Sequence, residues 1–401
     1  MLGHLLETTA RSLLERAGVH INGARPWDVR VHNERFYRSV LFRGSLGLGE
    51  SYMNGDWDCE NVDELVHRIL STDLDVPSWC ALPARVRAVS RRAKASLRNL
   101  QSRRGSTFLA EYHYERDPAL FEAFLDPYNQ YTCGYFDETD DLNRAQRKKL
   151  ELICRKLQLQ PSDRVLDIGC GWGGFARYAA ENYGVHVTGV TISRAQARYA
   201  RKFTEGLPVE IIERDYRDLG GDSALEGFDR VLVCGMIEHV GRKNYRRLMR
   251  VVHDSLSDDG LFLLHTIGRN TPARVTDPWI AKYIFPNSMI PSLSQLAAAH
   301  EGLLILHDLH DFAHCYDNTL LAWHRRFNDN WDSIRSTRER PTPYDGRFRR
   351  MWNYYLLASA GAFRARKLQL WQFVFSKHGI AGAYVPVRTV REPEAEESAV
   401  G

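Results

Sequence analysis

Residues 165–174 read V-L-D-I-G-C-G-W-G-G, and this stretch decides the fold. Val165, Leu166 and Ile168 make an apolar strand, and Gly169, Gly171, Gly173 and Gly174 turn it into a helix over Phe175–Asn182. Residues without a Cβ let the backbone take positive φ and approach a ligand closely, so the N–H groups of the turn face a nucleotide-like cofactor.

The next strand narrows the choice of nucleotide. A dinucleotide site usually carries an acid about twenty residues past the glycines, where it holds the ribose hydroxyls. Here the second strand, Val185–Val190, runs into Thr191-Ile192-Ser193 with Gln196 one helical turn on, and no carboxylate stands there. Asp167 in the first strand end and Asp215 after the third strand, Val209–Ile212, instead suit the amino group and the adenine of S-adenosylmethionine. The same glycine pattern also serves a plain structural turn or an NAD site.

From Arg164 to about Gly268 strand and helix alternate, which predicts a doubly wound parallel sheet of the Rossmann-like α/β class. Its later strands are expected at Asp229–Cys234 and Leu261–His265, with a helix around Tyr245–Leu256 between them. An aromatic insert, D-P-W-I-A-K-Y-I-F-P-N over Asp277–Asn287, should cover the substrate side. Helices are predicted over Ser292–His300 and Phe348–Phe375.

Upstream lies a small mixed N-terminal domain. It comprises an amphipathic helix carrying Leu2, Leu5, Leu6, Leu13 and Leu14, a strand-like stretch near Val29, a glycine turn at Gly44–Gly49 and a helix over Asp63–Leu70. Between Pro77 and Ala110 there is no acid, yet Arg85, Arg87, Arg91, Arg92, Lys94, Arg98, Arg103 and Arg104 give a local charge of +8, on a helix expected over Ala84–Gln101. The expected boundaries are 1–80 for the N-terminal domain, in contact with lipid or a second subunit, 81–110 for the basic linker helix, 111–385 for the catalytic domain and 386–401 for a disordered tail. Four glutamates among the last eleven residues support the last of these.

The bulk composition fits a soluble globular chain: 401 residues, 44% hydrophobic and 26% charged. A net charge of only +4 gives no reason to expect a nucleic-acid partner. Seven cysteines without C-x-x-C spacing speak against a metal site or a disulfide framework and fit a reducing cytoplasm. The charges Glu7, Arg11, Glu15 and Arg16 break the first leucine pattern, so it is no secretory signal, and no run approaches the roughly eighteen apolar residues of a membrane span.

Four residues stand where strand ends or covers would bring them near a bound cofactor: Cys133, Glu238, His265 and Tyr316. Glu238 and His265 follow the fourth and fifth strands, at the carboxyl ends where open α/β sheets bind ligands. Each also has an ordinary role open to it, as a buried thiol, a helix-start carboxylate, a core histidine or a packing aromatic.

The sequence resembles the bacterial cyclopropane-fatty-acyl-phospholipid synthases from about residue 15 to 380. The motifs that carry the likeness are G-S-L-G-L-G-E-S-Y-M from Gly44, L-D-P-Y-N-Q-Y-T-C-G-Y from Leu125, the glycine turn, V-T-I-S from Val190, G-M-I-E-H-V-G from Gly235, L-L-H-T-I-G from Leu263, D-P-W-I-A-K-Y-I-F-P-N from Asp277 and G-A-F-R-A-R-K-L-Q-L-W-Q from Gly361. The resemblance implies a methyl group passing from S-adenosylmethionine to a cis double bond in a phospholipid acyl chain, followed by ring closure with loss of a proton. It implies bicarbonate as the base, held by Cys133, Glu238, His265, Tyr316 and the backbone of Ile267. Cofactor contacts carry over to Tyr131, Thr132, Gly169, Gly171, Thr191, Gln196, Asp215, Tyr216 and Arg217, to which the reading of the turn and of the second strand end adds Asp167, Cys170 and Ser193.

A homodimer placed peripherally on the inner face of the cytoplasmic membrane is implied as well. The +8 segment and the cluster Leu48, Tyr52, Met53 and Trp57 are the stretches expected to meet lipid or a second subunit. Tyr135, Phe136, Trp279, Tyr283 and Phe285 are candidates to line the pocket. Alternatives are a related lipid or amine methyltransferase and a non-catalytic lipid-surface protein that retains the pocket. The chain departs from the family pattern at Tyr114-Glu115-Arg116-Asp117-Pro118 and at Ser359, where many relatives carry cysteine. A serine there excludes a thiol nucleophile at that position.

Overall fold

The computed structural model describes residues 1–74, 118–273, 275–336 and 343–390, together with residues 77, 86, 89, 99 and 101. The basic side chains of residues 85–104, residues 114–117 and the tail 391–401 fall outside these. Nine strands run in chain order as β1 (Arg30–Val31), β2 (Trp57–Asp58), β3 (Arg164–Ile168), β4 (His186–Thr191), β5 (Val209–Glu213), β6 (Phe228–Cys234), β7 (Leu256–Gly268), β8 (Ile305–Asp311) and β9 (Gln369–Ser376) among the described residues. The α-helices are α1 (Leu2–Arg16), α2 (Arg35–Met53), α3 (Val62–Ser71), α4 (Pro118–Glu122), α5 (Leu142–Lys156), α6 (Gly174–Tyr183), α7 (Arg194–Phe203), α8 (Tyr245–Ser255), α9 (Pro278–Tyr283), α10 (Leu293–His300), α11 (His314–Asp329), α12 (Trp331–Arg335) and α13 (Gly346–Arg364).

The main sheet has the order β5-β4-β3-β6-β7-β9-β8. Its first five strands are parallel, as the alternation of strand and helix predicts, and the apolar runs of β3, β4, β6 and β7 are largely buried while β5 is a partly exposed edge. The chain leaves β3 toward β4 and β5, then returns to β6 on the other side of β3. That reversal opens a crevice at the carboxyl ends of β3 and β6, the place where such sheets bind ligands. Ser193 caps α7 by accepting from Gln196 N, and Ser292 with Gln295 forms a full capping box on α10.

Three sequence expectations need correction. The helix predicted over Phe348–Phe375 ends at Arg364, and Gln369–Ser376 is strand β9, antiparallel to β7 and to the edge strand β8. A continuous apolar run buried on both faces has no alternation to separate it from a buried helix. The chain turns over at Arg366, whose φ is 53°. The glycine turn at Gly44–Gly49 lies inside α2, whose helical geometry is interrupted at Gly44. Gly49 is there for contact, since a Cβ on it would sit 2.4 Å from the Trp279 ring. Third, Tyr52, Met53 and Trp57 are buried and Leu48 is half-buried, so this cluster packs the core and offers no surface to lipid or a partner. Leu2 and Leu5 of α1 are the exposed apolar residues of that region.

One continuous apolar core gathers Leu6, Trp57 and Leu65 from the N-terminal hundred residues with Phe121, Trp323, Trp352 and Phe363 from the rest of the chain. Gly361 of α13 lies so close to α3 that a Cβ on it would meet Asp63 O at 2.3 Å. Arg364 donates to Asp63 at 2.8 Å and to Asp317 at 2.9 and 3.0 Å, joining α3, α11 and α13.

Candidate active site

A cleft of about 1200 Å³, its open mouth included, lies at the carboxyl ends of β3, β4, β5 and β6. All twelve residues expected to touch the cofactor line it: Tyr131 and Thr132 from the loop before α5, Asp167, Gly169, Cys170 and Gly171 from β3 and its turn, Thr191, Ser193 and Gln196 after β4, and Asp215, Tyr216 and Arg217 after β5. Gly169 has φ 89°, and a Cβ there would meet the Met236 side chain at 2.7 Å, so the turn folds tightly across the ends of β3 and β6. A Cβ on Gly174 would lie 1.8 Å from Tyr128 O, which is how closely the loop carrying Tyr131 and Thr132 rides over the start of α6.

Asp167 is almost fully buried, and burial pushes its carboxyl up to about 7 against the pull of the Lys149 cation. Thr191 Oγ1 lies 3.0 Å from Gln196 Oε1 and accepts from Ser193 N at 3.2 Å, making a polar corner at the end of β4. Arg217 grips Asp215 through two nitrogens, at 2.8 and 2.5 Å, and donates to Gln101 O at 3.0 Å. Asn99, beside it, donates to Asn244 Oδ1 at 2.9 Å, so the end of the basic stretch is fastened beside the cleft.

Cys133, Glu238, His265, Ile267 and Tyr316 do not line the cleft; they lie behind its wall. Glu238 sits in the 3₁₀ turn after β6, and its Oε1 accepts from Ile267 N at 2.8 Å. The Ile267 backbone therefore holds Glu238. Burial pushes the Glu238 carboxyl up to about 7, with the Ile267 bond and Thr266 pulling the other way. His265, paired with Cys234 across β6 and β7, is buried and held neutral, its pKa driven down by desolvation and by Lys149 and Lys156. Glu238 Oε2 and His265 Nε2 have no hydrogen-bond partner among the described residues. Tyr316 stacks on Phe363 at 4.4 Å, and Thr319 Oγ1 reaches Cys133 Sγ at 3.7 Å. Burial pushes the Tyr316 phenol and the Cys133 thiol up, so both carry their protons.

Of the five aromatic candidates, Phe285 packs on Tyr131, His239 and Tyr355 beside the cleft. Trp279 and Tyr283 turn toward α2, where Tyr283 OH donates to Glu50 Oε1 at 2.9 Å and Lys282 to the same oxygen at 2.7 Å. Tyr135 packs on His310 and Phe312, and Phe136 N donates to Cys315 Sγ at 3.3 Å.

Sequence reasoning missed Lys149, whose buried ammonium donates to Gln130 Oε1 and, at 2.9 Å, to Thr132 Oγ1. In the run R-K-K-L it reads as a solvated face. It also missed His239 and Trp172 on the cleft wall, and Gln372, although Gln372 closes the last of the quoted motifs. Among the described residues no cluster suits a metal ion, the six cysteines are free, and no helix is long and apolar enough to cross a membrane.

Residues 101–373 match the family model of mycolic acid cyclopropane synthetase. The chain belongs to that family. As a mycolic acid cyclopropane synthetase relative it is an S-adenosylmethionine-dependent methyltransferase. The chain is 48% identical over 92% of its length to the cyclopropane-fatty-acyl-phospholipid synthase of Escherichia coli (strain K12), of which it covers 92%. Among solved structures it resembles the cyclopropane synthase MmaA2 of Mycobacterium tuberculosis, with a TM-score of 0.60 and 28% identity, over 68% of this chain and 98% of that one. The mycolic acid cyclopropane synthase CmaA1, solved with SAH and CTAB, matches at a TM-score of 0.59 and 28% identity over the same shares.

Proposed function

We propose that the chain forms cyclopropane rings on the cis double bonds of unsaturated acyl chains in membrane phospholipids. The observation that carries this reading is the pair of unpartnered polar atoms, Glu238 Oε2 and His265 Nε2, buried directly behind the cleft of a methyltransferase. Leaving such atoms without partners costs about 1–3 kcal/mol each, and a small anion that both accepts and donates would satisfy both. When bound, S-adenosylmethionine supplies the methyl group and bicarbonate the base that takes the proton as the ring closes.

The chain's own residues do the rest. Asp167 holds the amino group of the cofactor, Thr191, Ser193 and Gln196 its ribose, and Asp215, Tyr216 and Arg217 the adenine side. Tyr131 and Thr132 close the wall between the cleft and Cys133. Protonated Cys133, protonated Tyr316 and neutral His265 offer donors to an anion, while Glu238, poised near neutrality, shares a proton with it instead of repelling it. The rings of Tyr131, Phe285 and Tyr355 offer π faces to a developing carbocation and keep water out.

Mass spectrometry tests the reaction. Unsaturated phospholipid incubated with the protein and S-adenosylmethionine should gain about 14 mass units on an acyl chain that no longer takes up hydrogen as an alkene. A branched methyl product, a methylated amine or no product would each overturn this reading.

We further place the enzyme as a homodimer, peripheral on the inner face of the cytoplasmic membrane, docked through the +8 stretch between Pro77 and Ala110. Each basic residue near an anionic surface contributes up to about 1 kcal/mol. Sedimentation of the protein with anionic vesicles should fall steeply between low and high salt. Binding that ignores salt would remove the basic stretch from this role.

A further inference from the structure

Gln372 is fully buried in β9, between His265 of β7 on one side and His310 of β8 on the other. Its Nε2 lies 3.2 Å from His265 Nδ1. An amide nitrogen only donates, so a bond from Gln372 Nε2 requires a lone pair on Nδ1. A neutral imidazole with a lone pair on Nδ1 carries its hydrogen on Nε2. That Nε2, like Glu238 Oε2, is buried and unpartnered among the described residues.

We propose that Gln372 is a positioning residue that fixes His265 in the Nε2–H tautomer, so that its ring donates into the pocket behind the cleft. The inference rests on the reading of that pocket as a bicarbonate site and says which way the site is polarised. An anion there meets a hydrogen on His265 and not a lone pair. With the amide reversed, Gln372 Oε1 would accept from Nδ1–H, and the Nε2 lone pair would repel any anion beside it.

The surroundings keep the ring neutral, which the tautomer requires. Lys149 and Lys156 both face His265 and disfavour a positive charge on it. On the far side of Gln372, Lys156 Nζ lies 3.0 Å from His310 Nδ1, so the second histidine of the row also meets a nitrogen at its Nδ1. Arg388 is held by Asp308 at 2.7 Å next to this pair. Gln372 Oε1 is buried without a hydrogen-bond partner among the described residues, so the contact with His265 is the one that engages this amide.

Nitrogen-15 spectra of protein labelled in histidine read the tautomer directly, and the His265 signals are those lost in His265→Gln. The wild type should show the Nε2–H pattern at His265, with Nε2 shifting when bicarbonate is added to carbonate-free buffer. Gln372→Glu puts an acceptor against Nδ1 and should turn the ring to Nδ1–H. It should raise the bicarbonate concentration for half-maximal turnover by about 10- to 100-fold, the loss seen when the partner that orients a ligating histidine is changed. SAH affinity should stay within about twofold of the wild type.

An Nδ1–H pattern in the wild type would overturn the proposal without any variant having to fold. So would an unchanged tautomer in Gln372→Glu, or a fall in SAH affinity as large as the fall in turnover. Wild-type turnover that ignores bicarbonate would overturn the anion reading and with it the donation to an anion, while the spectra would still report the tautomer.

Discussion

Replacing Glu238 with glutamine should make the protein more stable while taking away its turnover. Burial moves this carboxyl from 4.5 to about 7, so between those values the folded chain binds a proton that the unfolded chain has given up. Stability of the wild type therefore falls as pH rises from about 4.5 to about 7 and is flat above, as far as this group is concerned. At about 1.4 kcal/mol per tenfold change in proton affinity, the displacement amounts to about 3 kcal/mol. Glutamine keeps an oxygen for Ile267 N, which donates to Oε1 at 2.8 Å, and carries no charge into the dry pocket. In bicarbonate-free buffer, urea unfolding should find Glu238→Gln about 3 kcal/mol more stable than the wild type near pH 8, and about half that near pH 5.5. Turnover on unsaturated phospholipid vesicles should drop by at least about 100-fold, with SAH affinity nearly unchanged. A variant no more stable than the wild type, or a gap that does not widen with pH, would refute the placement of a protonated carboxyl behind the cleft.

Other residues make separate predictions. Asp167→Asn keeps the shape of the cleft but not the acceptor of a charged amino group, and calorimetry should show SAH affinity falling about tenfold or more. Gly174→Ala drives a methyl group to 1.8 Å from Tyr128 O, so the loop must move; a loss of about 3 kcal/mol in thermal unfolding and weaker SAH binding are expected together. Cys133 is buried and keeps its proton, so Cys133→Ser, which still donates, should retain turnover within about tenfold of the wild type, whereas Cys133→Ala should lose more. A serine variant as inactive as the alanine one would count against a donor role at that position.

The half of the sheet that carries the cleft was legible because it is built from local signals. Apolar strands, a glycine turn and a helix follow one another within a few residues. Strands β8 and β9 escaped because Leu370–Phe375, apolar but for Gln372, carries no regular alternation, while β8, I-L-H-D-L-H-D, reads as a polar edge. The residues that line the cleft were legible because they cluster around the strand ends. Lys149 and Gln372 were not, for they are polar side chains on a helix and a strand whose burial is decided by neighbours far away in sequence. The N-terminal cluster around Trp57 misled for the same reason, since a stretch of aromatic residues reads alike whether it faces lipid or α13.

The close seating of α3 against Gly361 means that the segment matched by the family model is smaller than the unit that packs around one core. The family model begins at residue 101, yet the carbonyl of Asp63 occupies the space above Gly361, and Trp57 and Leu65 share one apolar core with Trp352. A chain cut back to the matched segment would bare the flank of α13 and leave Arg364 without Asp63. The residues ahead of the matched segment are part of its interior and cannot be removed as a module.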